Sequence, residues 1–120
     1  MQNMTSVIKI FDNVEIVAGG TALSSVIDLT LSGGNFSLQL EVTGDGTLQA
    51  EKVMSNNGAD FLAPEGDVPF LSGITKTSGP GSDGLVIEGF AANVAEQMKI
   101  LLTETGVAET VTVSGWLAVQ

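Results

Sequence analysis

From residue 36 to residue 43 apolar and polar residues alternate without a break, Phe36, Leu38, Leu40 and Val42 against Ser37, Gln39, Glu41 and Thr43. Successive side chains of an extended chain point to opposite sides, so a period of two makes a strand with one face in a core and the other in water. The period returns in Met98, Ile100 and Leu102, and in Val111, Val113, Leu117 and Val119 around Thr112 and Ser114. Several separated segments, each with one apolar face, are satisfied by sheets that bury those faces against each other.

The punctuation between these segments supports the same class. The chain has 15 glycines and 3 prolines in 120 residues, and glycine supplies the positive φ of tight turns without steric cost. Residues 5–11 (TSVIKIF) and 14–18 (VEIVA) are β-rich and parted by Asp12-Asn13, a pair that favours a turn, so residues 1–20 read as an N-terminal arm or a hairpin. Residues 21–31 predict a strand with Ile27, Leu29 and Leu31 facing the core. Gly44-Asp45-Gly46 predicts a tight hairpin between the strand ending at Thr43 and a partner over residues 47–54. Asn57-Gly58 suits a type I′ turn, with Phe61 as an inward anchor after it. Residues 70–76 predict another strand, residues 78–84 (SGPGSDG) a surface loop, residues 85–90 a strand apolar on both faces, and residues 91–97 one helical turn. The expected fold is all-β, an antiparallel β-sandwich or jelly roll of about eight to nine short strands, in a single domain spanning residues 1–120.

Composition narrows the function. Four basic residues stand against 14 acidic ones, for a net charge of -10. Such a chain lacks the field that draws phosphate, so neither nucleic acid nor an anionic membrane surface is an expected partner. No apolar run approaches the ~20 residues of a spanning helix. Residues 1–11 have no basic region followed by an apolar stretch and a cleavage site, so secretion by a signal peptide is not expected. With no cysteine, stability rests on packing.

Histidine, cysteine and tyrosine are all absent, which removes the commonest general base, the thiol nucleophile and the phenolic acid. Usual zinc sites go with them. Paired carboxylates remain, and Glu41 and Glu51 would come close if the hairpin formed, but carboxylates on strands are mostly a solvated face. Asp45, Asp60, Glu65, Asp67 and Asp83 lie in glycine-rich loops that can suit calcium, yet their spacing fits no calcium loop and turns select Asp for local reasons. SGPGSDG lacks the Lys-Ser or Lys-Thr ending of a phosphate loop. No catalytic residue, cofactor or metal site is expected, and the chain reads as no enzyme.

What remains is surface. Val7, Ile8, Ile10 and Phe11 put apolar side chains in succession, unlike an edge strand, which usually carries charge against unwanted pairing. They fit an inner strand of the sandwich or an arm that adds to a neighbour's sheet. Trp116 faces away from Val113, Leu117 and Val119 by alternation, unless Gly115 marks a bulge that turns it inward, so it is either core or an interface anchor, with core expected. Val7, Ile8, Ile10, Phe11 and Trp116 are the candidate partner-binding residues.

The order of IKIFDNVEIVAGGTALSSVIDL, LQLEVTGDGTLQAEKVMSNNGADF, MKILLTETG and VTVSGWLAVQ resembles small β-sandwich virion proteins of tailed bacteriophages and prophages. The most characteristic pieces are VTGDGTL at residues 42–48 and SNNGADF at residues 55–61, where Asn57 stands in place of an aspartate. The resemblance covers nearly the whole chain through motifs that are structural. It implies a particle component, first a capsid decoration protein binding the major capsid protein or another virion protein and associating with its own copies. Its place would be the virion, assembled in the host cytoplasm. A tail or neck protein shares these features, and a glycan-binding module is a third possibility, poorly supplied with aromatic residues.

Overall fold

Nine strands form two antiparallel sheets in the computed structural model, which describes residues 6–30 and 32–120: β1 (Ser6–Ile16), β2 (Thr21–Leu23), β3 (Ile27–Asp28), β4 (Asn35–Gly44), β5 (Leu48–Ser55), β6 (Leu71–Ile74), β7 (Leu85–Ala91), β8 (Gln97–Glu104) and β9 (Val111–Val119). The expectations for Thr5 and Leu31 fall outside the described residues. One sheet has the order β1-β9-β4-β7; in the other, β8 and β5 are central, β6 borders β5, and β2 and β3 share the far side of β8. The protein is an all-β sandwich.

The alternation of β4 is the spine of the core. Leu38, Leu40 and Val42 are fully buried and meet Leu117, Gly115 and Val113 across the β9 ladder. From the other sheet Met98, Ile100 and Leu102 of β8 and Leu48 and Ala50 of β5 close the layer. These are the parity-matched residues of four segments, so the period of two becomes a dry interior between sheets packed ~10 Å apart.

The turn Gly44-Asp45-Gly46 does not make the predicted hairpin: β4 and β5 lie in different sheets, and the turn carries the chain across the sandwich. Gly44 has φ of +88°, and a Cβ on it would stand 2.8 Å from the carbonyl oxygen of Thr110. The glycines therefore serve a close crossing beneath the β8–β9 connection, a contact invisible to local turn rules. Glu41 and Glu51 consequently lie on different sheets, each next to inward neighbours, and do not face one another.

Residues 6–16 do not fold back at Asp12-Asn13 into a hairpin. They form one strand at the sheet margin, with register shifts between Lys9 and Phe11 and between Phe11 and Val14, and Asn13 takes φ of +49°. The turn-forming pair has become a bulge because β9 supplies ladder partners on both sides of it. The expected strand at 21–31 is likewise split. Between β2 and β3 the buried Ser24 hydroxyl accepts the N–H of Ile100 at 2.9 Å, replacing a carbonyl of the ladder. Parity shifts across this break, so Ala22 packs on the core while Leu23 is exposed, and Ile27 is again buried.

Three smaller expectations also change. Phe61 is not an inward anchor: its ring lies 4.5 Å from Lys99 Nζ, and Lys99 alternates with the buried Met98 and Ile100, which places Phe61 over the outer face of the five-stranded sheet. Positive φ occurs at Gly58 and not at Asn57, so the turn there is not type I′. Residues 92–96 form no helical turn.

Candidate interaction surface

The sandwich is sealed by its own groups at one end. Glu104 continues the inward series Met98, Ile100, Leu102 and is 1% exposed. Its carboxylate accepts N–H bonds from Thr47 and Gly19 at 2.9 Å, Gly106 at 2.8 Å and Val107 at 2.7 Å. The N–H groups of Thr47 first, then Gly19, with Val107 and Gly106, hold its pKa down to about 2 against the opposing effect of desolvation. One side chain thus ties together the β1–β2 turn, the sheet-crossing turn and the β8–β9 turn. The signal was present in the sequence, where the apolar parity of β8 runs straight into a glutamate before Thr105-Gly106.

Four of the five loop carboxylates weighed for calcium, all but Glu65, are engaged locally. Asp45 pairs with Lys76, which lowers the carboxyl pKa through the hydrogen bond and the charge, and Asp67 pairs with Lys52 at 3.1 Å. Asp60 accepts from the Asn57 amide at 2.9 Å, and Asp83 from the Leu85 N–H at 3.3 Å. Among the described residues no three such groups converge. A hollow of about 570 Å³ beside Met54, Asn56, Leu62 and Val94 is bordered by the Asn57 loop, whose Oδ1 already takes the N–H groups of Ala59 and Asp60 at 2.9 Å.

The candidate residues on β1 separate into three places. Phe11 is 3% exposed and belongs to the core, so it is not a contact residue. Ile8 faces inward beside Leu117 but at the sandwich margin, where it is 47% exposed. With Ile10, Val26 and Val119 it lines a hollow of about 340 Å³ between the start of β1 and β3, rimmed by Ser6, Ser25 and Asp28. Val26, 46% exposed, was the partner that sequence reasoning missed, because the parity shift at Ser24 is a tertiary event. Asp28 accepts both the backbone N–H and the hydroxyl of Thr30, and these bonds, the backbone one first, lower its pKa. The rim is therefore anionic and the floor apolar.

Val7, 65% exposed, points the other way, onto the outer face of the four-stranded sheet. Trp116 lies there too. It heads no bulge in β9, where the registers with β4 and β1 place it opposite Gln39 and Lys9, and it is half-buried, with Lys9 Nζ 5.2 Å from its ring. The core expectation for Trp116 is thereby overturned; the bulge is in β1. On the far side of Gln39 the row ends at Ile87, 63% exposed. β7 was expected to be buried on both faces, but it is an edge strand with Val86 and Phe90 turned inward and Leu85 and Ile87 in solvent.

No protein-family model matches the chain, and no curated protein matches it in sequence. Solved structures do share its fold. The VP2 subviral particle of infectious bursal disease virus superposes with a TM-score of 0.59 at 15% identity, over 97% of this chain and 32% of that one. The structure of the Gx strain of the same virus gives a TM-score of 0.53 at 14% identity, over 97% of this chain and 31% of that one. The SPBc2 prophage-derived protein YomS matches 96% of this chain and 93% of its own at 13% identity, with a TM-score of 0.35, too loose a superposition to bear on this protein. The chain spans about a third of the length of these two viral chains, and at these identities the likeness is one of fold: a two-sheet β-sandwich also found in a protein of a viral particle.

Proposed function

We propose that this chain is a non-enzymatic structural protein of a bacteriophage particle, a capsid decoration or head-stabilising protein that binds the assembled shell through the major capsid protein or another virion protein. The observation that carries the reading is the apolar hollow at the β1–β3 margin, where Ile8 and Val26 stand about half exposed beside the partly buried Ile10. A small domain that leaves two β-branched residues about half exposed at a sandwich margin presents a built recess for side chains of a partner. The bulges and the positive φ of Asn13 make the second half of β1 a poor template for strand addition, and the recess beside its first half offers side-chain contacts instead. The virion-like motifs at residues 42–48 and 55–61 and the sandwich shared with a virus particle protein support the setting.

The test is co-sedimentation of the purified chain with empty heads of the phage or prophage that encodes it. Saturable binding is expected, weakened at least about tenfold by Ile8→Asp, which places a charge in the recess. Absence of binding to heads together with binding to purified tails would move the protein to a tail or neck. Absence of both, with hits on a glycan array, would replace the structural role by a sugar-binding one.

A further inference from the structure

We propose that Asn57 is a deamidation site gated by the loop after β5: closed, the loop protects Asn57, and opened, it lets the side chain convert to a carboxylate that hinders reclosure. Asn57-Gly58 is the one Asn-Gly pair in the sequence, and the bare Cα of glycine leaves its nitrogen unhindered for attack on the preceding side chain. In that reaction the Gly58 nitrogen gives its proton to a base and bonds to Asn57 Cγ, the Cγ–Nδ2 bond breaks, and ammonia leaves with a proton returned to it. The resulting succinimide takes up one water and opens to aspartate or isoaspartate.

The closed loop engages each group that the reaction needs. The Gly58 N–H donates to Ser55 Oγ at 3.0 Å. Asn57 Oδ1 accepts the N–H groups of Ala59 and Asp60 at 2.9 Å and the Ser55 hydroxyl at 3.0 Å. The leaving nitrogen, Nδ2, donates to Asp60 Oδ2 at 2.9 Å. Ser55, 4% exposed, sits in the β5–β8 ladder opposite Gln97, so the anchor of the loop belongs to the sheet. Swinging the Asn57 carboxamide onto the Gly58 nitrogen gives up these bonds together, which makes local opening the first step.

The product does not fit the same seat. Where Nδ2 donated to Asp60, deamidation leaves an oxygen, and two carboxylates meet. The loop that they loosen covers the outer face of the five-stranded sheet. Met54 and Leu62 exchange backbone bonds at 2.8 and 2.9 Å, Phe61 lies against Lys99, and Val53, opposite Lys99 in the ladder, is only 6% exposed. One opening is thereby recorded as a lasting chemical change.

This inference is independent of the shell-binding reading, which uses the β1–β3 recess. The measurement is peptide mapping by mass spectrometry, with enzymatic detection of isoaspartate, on the whole chain held in mildly alkaline buffer. Asn57 should deamidate at least about tenfold more slowly in the folded chain than in the same chain unfolded in urea, since conversion follows the population of the opened form. Ser55→Ala, once thermal unfolding shows it folded, should speed the reaction at least about tenfold, because the loop's bonds to the hydroxyl go with it. Amide hydrogen exchange at Met54 and Leu62 should be faster in Asn57→Asp than in the parent chain. It should return toward the parent rate when Asp60→Asn is added, which again sets one amide donor against one carboxylate. Equal deamidation rates folded and unfolded, or an unchanged rate in Ser55→Ala, overturn the protection. Unchanged exchange in Asn57→Asp, or no return in the double variant, overturns the hindered reclosure.

Discussion

Gly115 marks where the edge strand is fastened to the sheet, and replacing it with alanine probes how tightly. It faces inward from β9 between Leu40 and Phe11, and a Cβ there would come 3.0 Å from Leu40 Cδ2 and 3.1 Å from Phe11 Cδ2. Both neighbours are side-chain ends in a full core, so each must yield a few tenths of an ångström. Overpacking of this kind costs about 1–3 kcal/mol, against which alanine recovers about 0.5–1 kcal/mol over a strand glycine. The net expectation is a loss of roughly 0.5–2 kcal/mol, or a fall in Tm of about 2–8 °C at ~4 °C per kcal/mol for a chain of this size. Urea and thermal unfolding measure it. Leu40→Ala alone should cost about 2–5 kcal/mol, but the double variant should cost less than the sum by about 0.5–1.5 kcal/mol, because removing Leu40 Cδ2 makes room for the new methyl group. Gly89 of β7 is the control: the nearest atom to its Cβ would be the Phe36 carbonyl oxygen at 3.7 Å, so Gly89→Ala should be neutral or mildly stabilising. If Gly115→Ala raised the Tm, the tight packing of Leu40 and Phe11 over Gly115 would be refuted, and a strictly additive double variant would refute the Leu40 contact.

Three further outcomes follow from the same geometry. Because the folded pKa of Glu104 is about 2, below the ordinary 4.5, its stabilisation is complete above pH 4.5 and is lost as pH falls through about 2; in Glu104→Gln the urea midpoint should be lower at neutral pH and change less across that window. Lys52 is mostly buried, with a side-chain exposure of 12%, while Asp67 reaches it from an exposed loop, so Asp67→Ala should cost about 1 kcal/mol by leaving the ammonium unpaired, and adding Lys52→Met should recover most of that loss in denaturant titrations. Gly44→Ala should cost more than about 1 kcal/mol, since positive φ and the Thr110 carbonyl both oppose a side chain, whereas Gly66→Ala, with φ of +76° but no atom within 4 Å, should cost less in the same assay.

The strands with clean alternation were legible because their parity is a local property. β4, β8 and β9 present to the core the residues that the sequence assigns, whereas Trp116, expected in the core for its size although alternation turned it outward, lies on the outer face because β9 runs through Gly115 without a bulge. Errors gathered where a local signal has two tertiary solutions. Gly44-Asp45-Gly46 permits a hairpin or a crossover, and only the approach to Thr110 decides between them. Asp12-Asn13 permits a turn or a bulge, and the ladder with β9 chose the bulge. An apolar strand such as β7 reads as central, yet it is an edge, and the outward Ile87 became visible as a surface residue only when the strand order was known.

The candidate surface was half legible in the same sense. Val7, Ile8 and Ile10 stood out as apolar residues in succession, and alternation alone parts Val7 from Ile8, but the burial of Phe11 depends on the register shift that follows Lys9. Residue pattern and composition carry the all-β class, the inward faces of three strands, the acidic charge and the lack of histidine, cysteine and tyrosine. Tertiary structure alone decided which strands are neighbours, which glycines are crossings, and where apolar groups remain in solvent. Side-chain parity is written residue by residue along the chain, whereas pairing and exposure are set by partners distant in sequence, such as β1 and β9, whose selection depends on the packing of the whole sandwich.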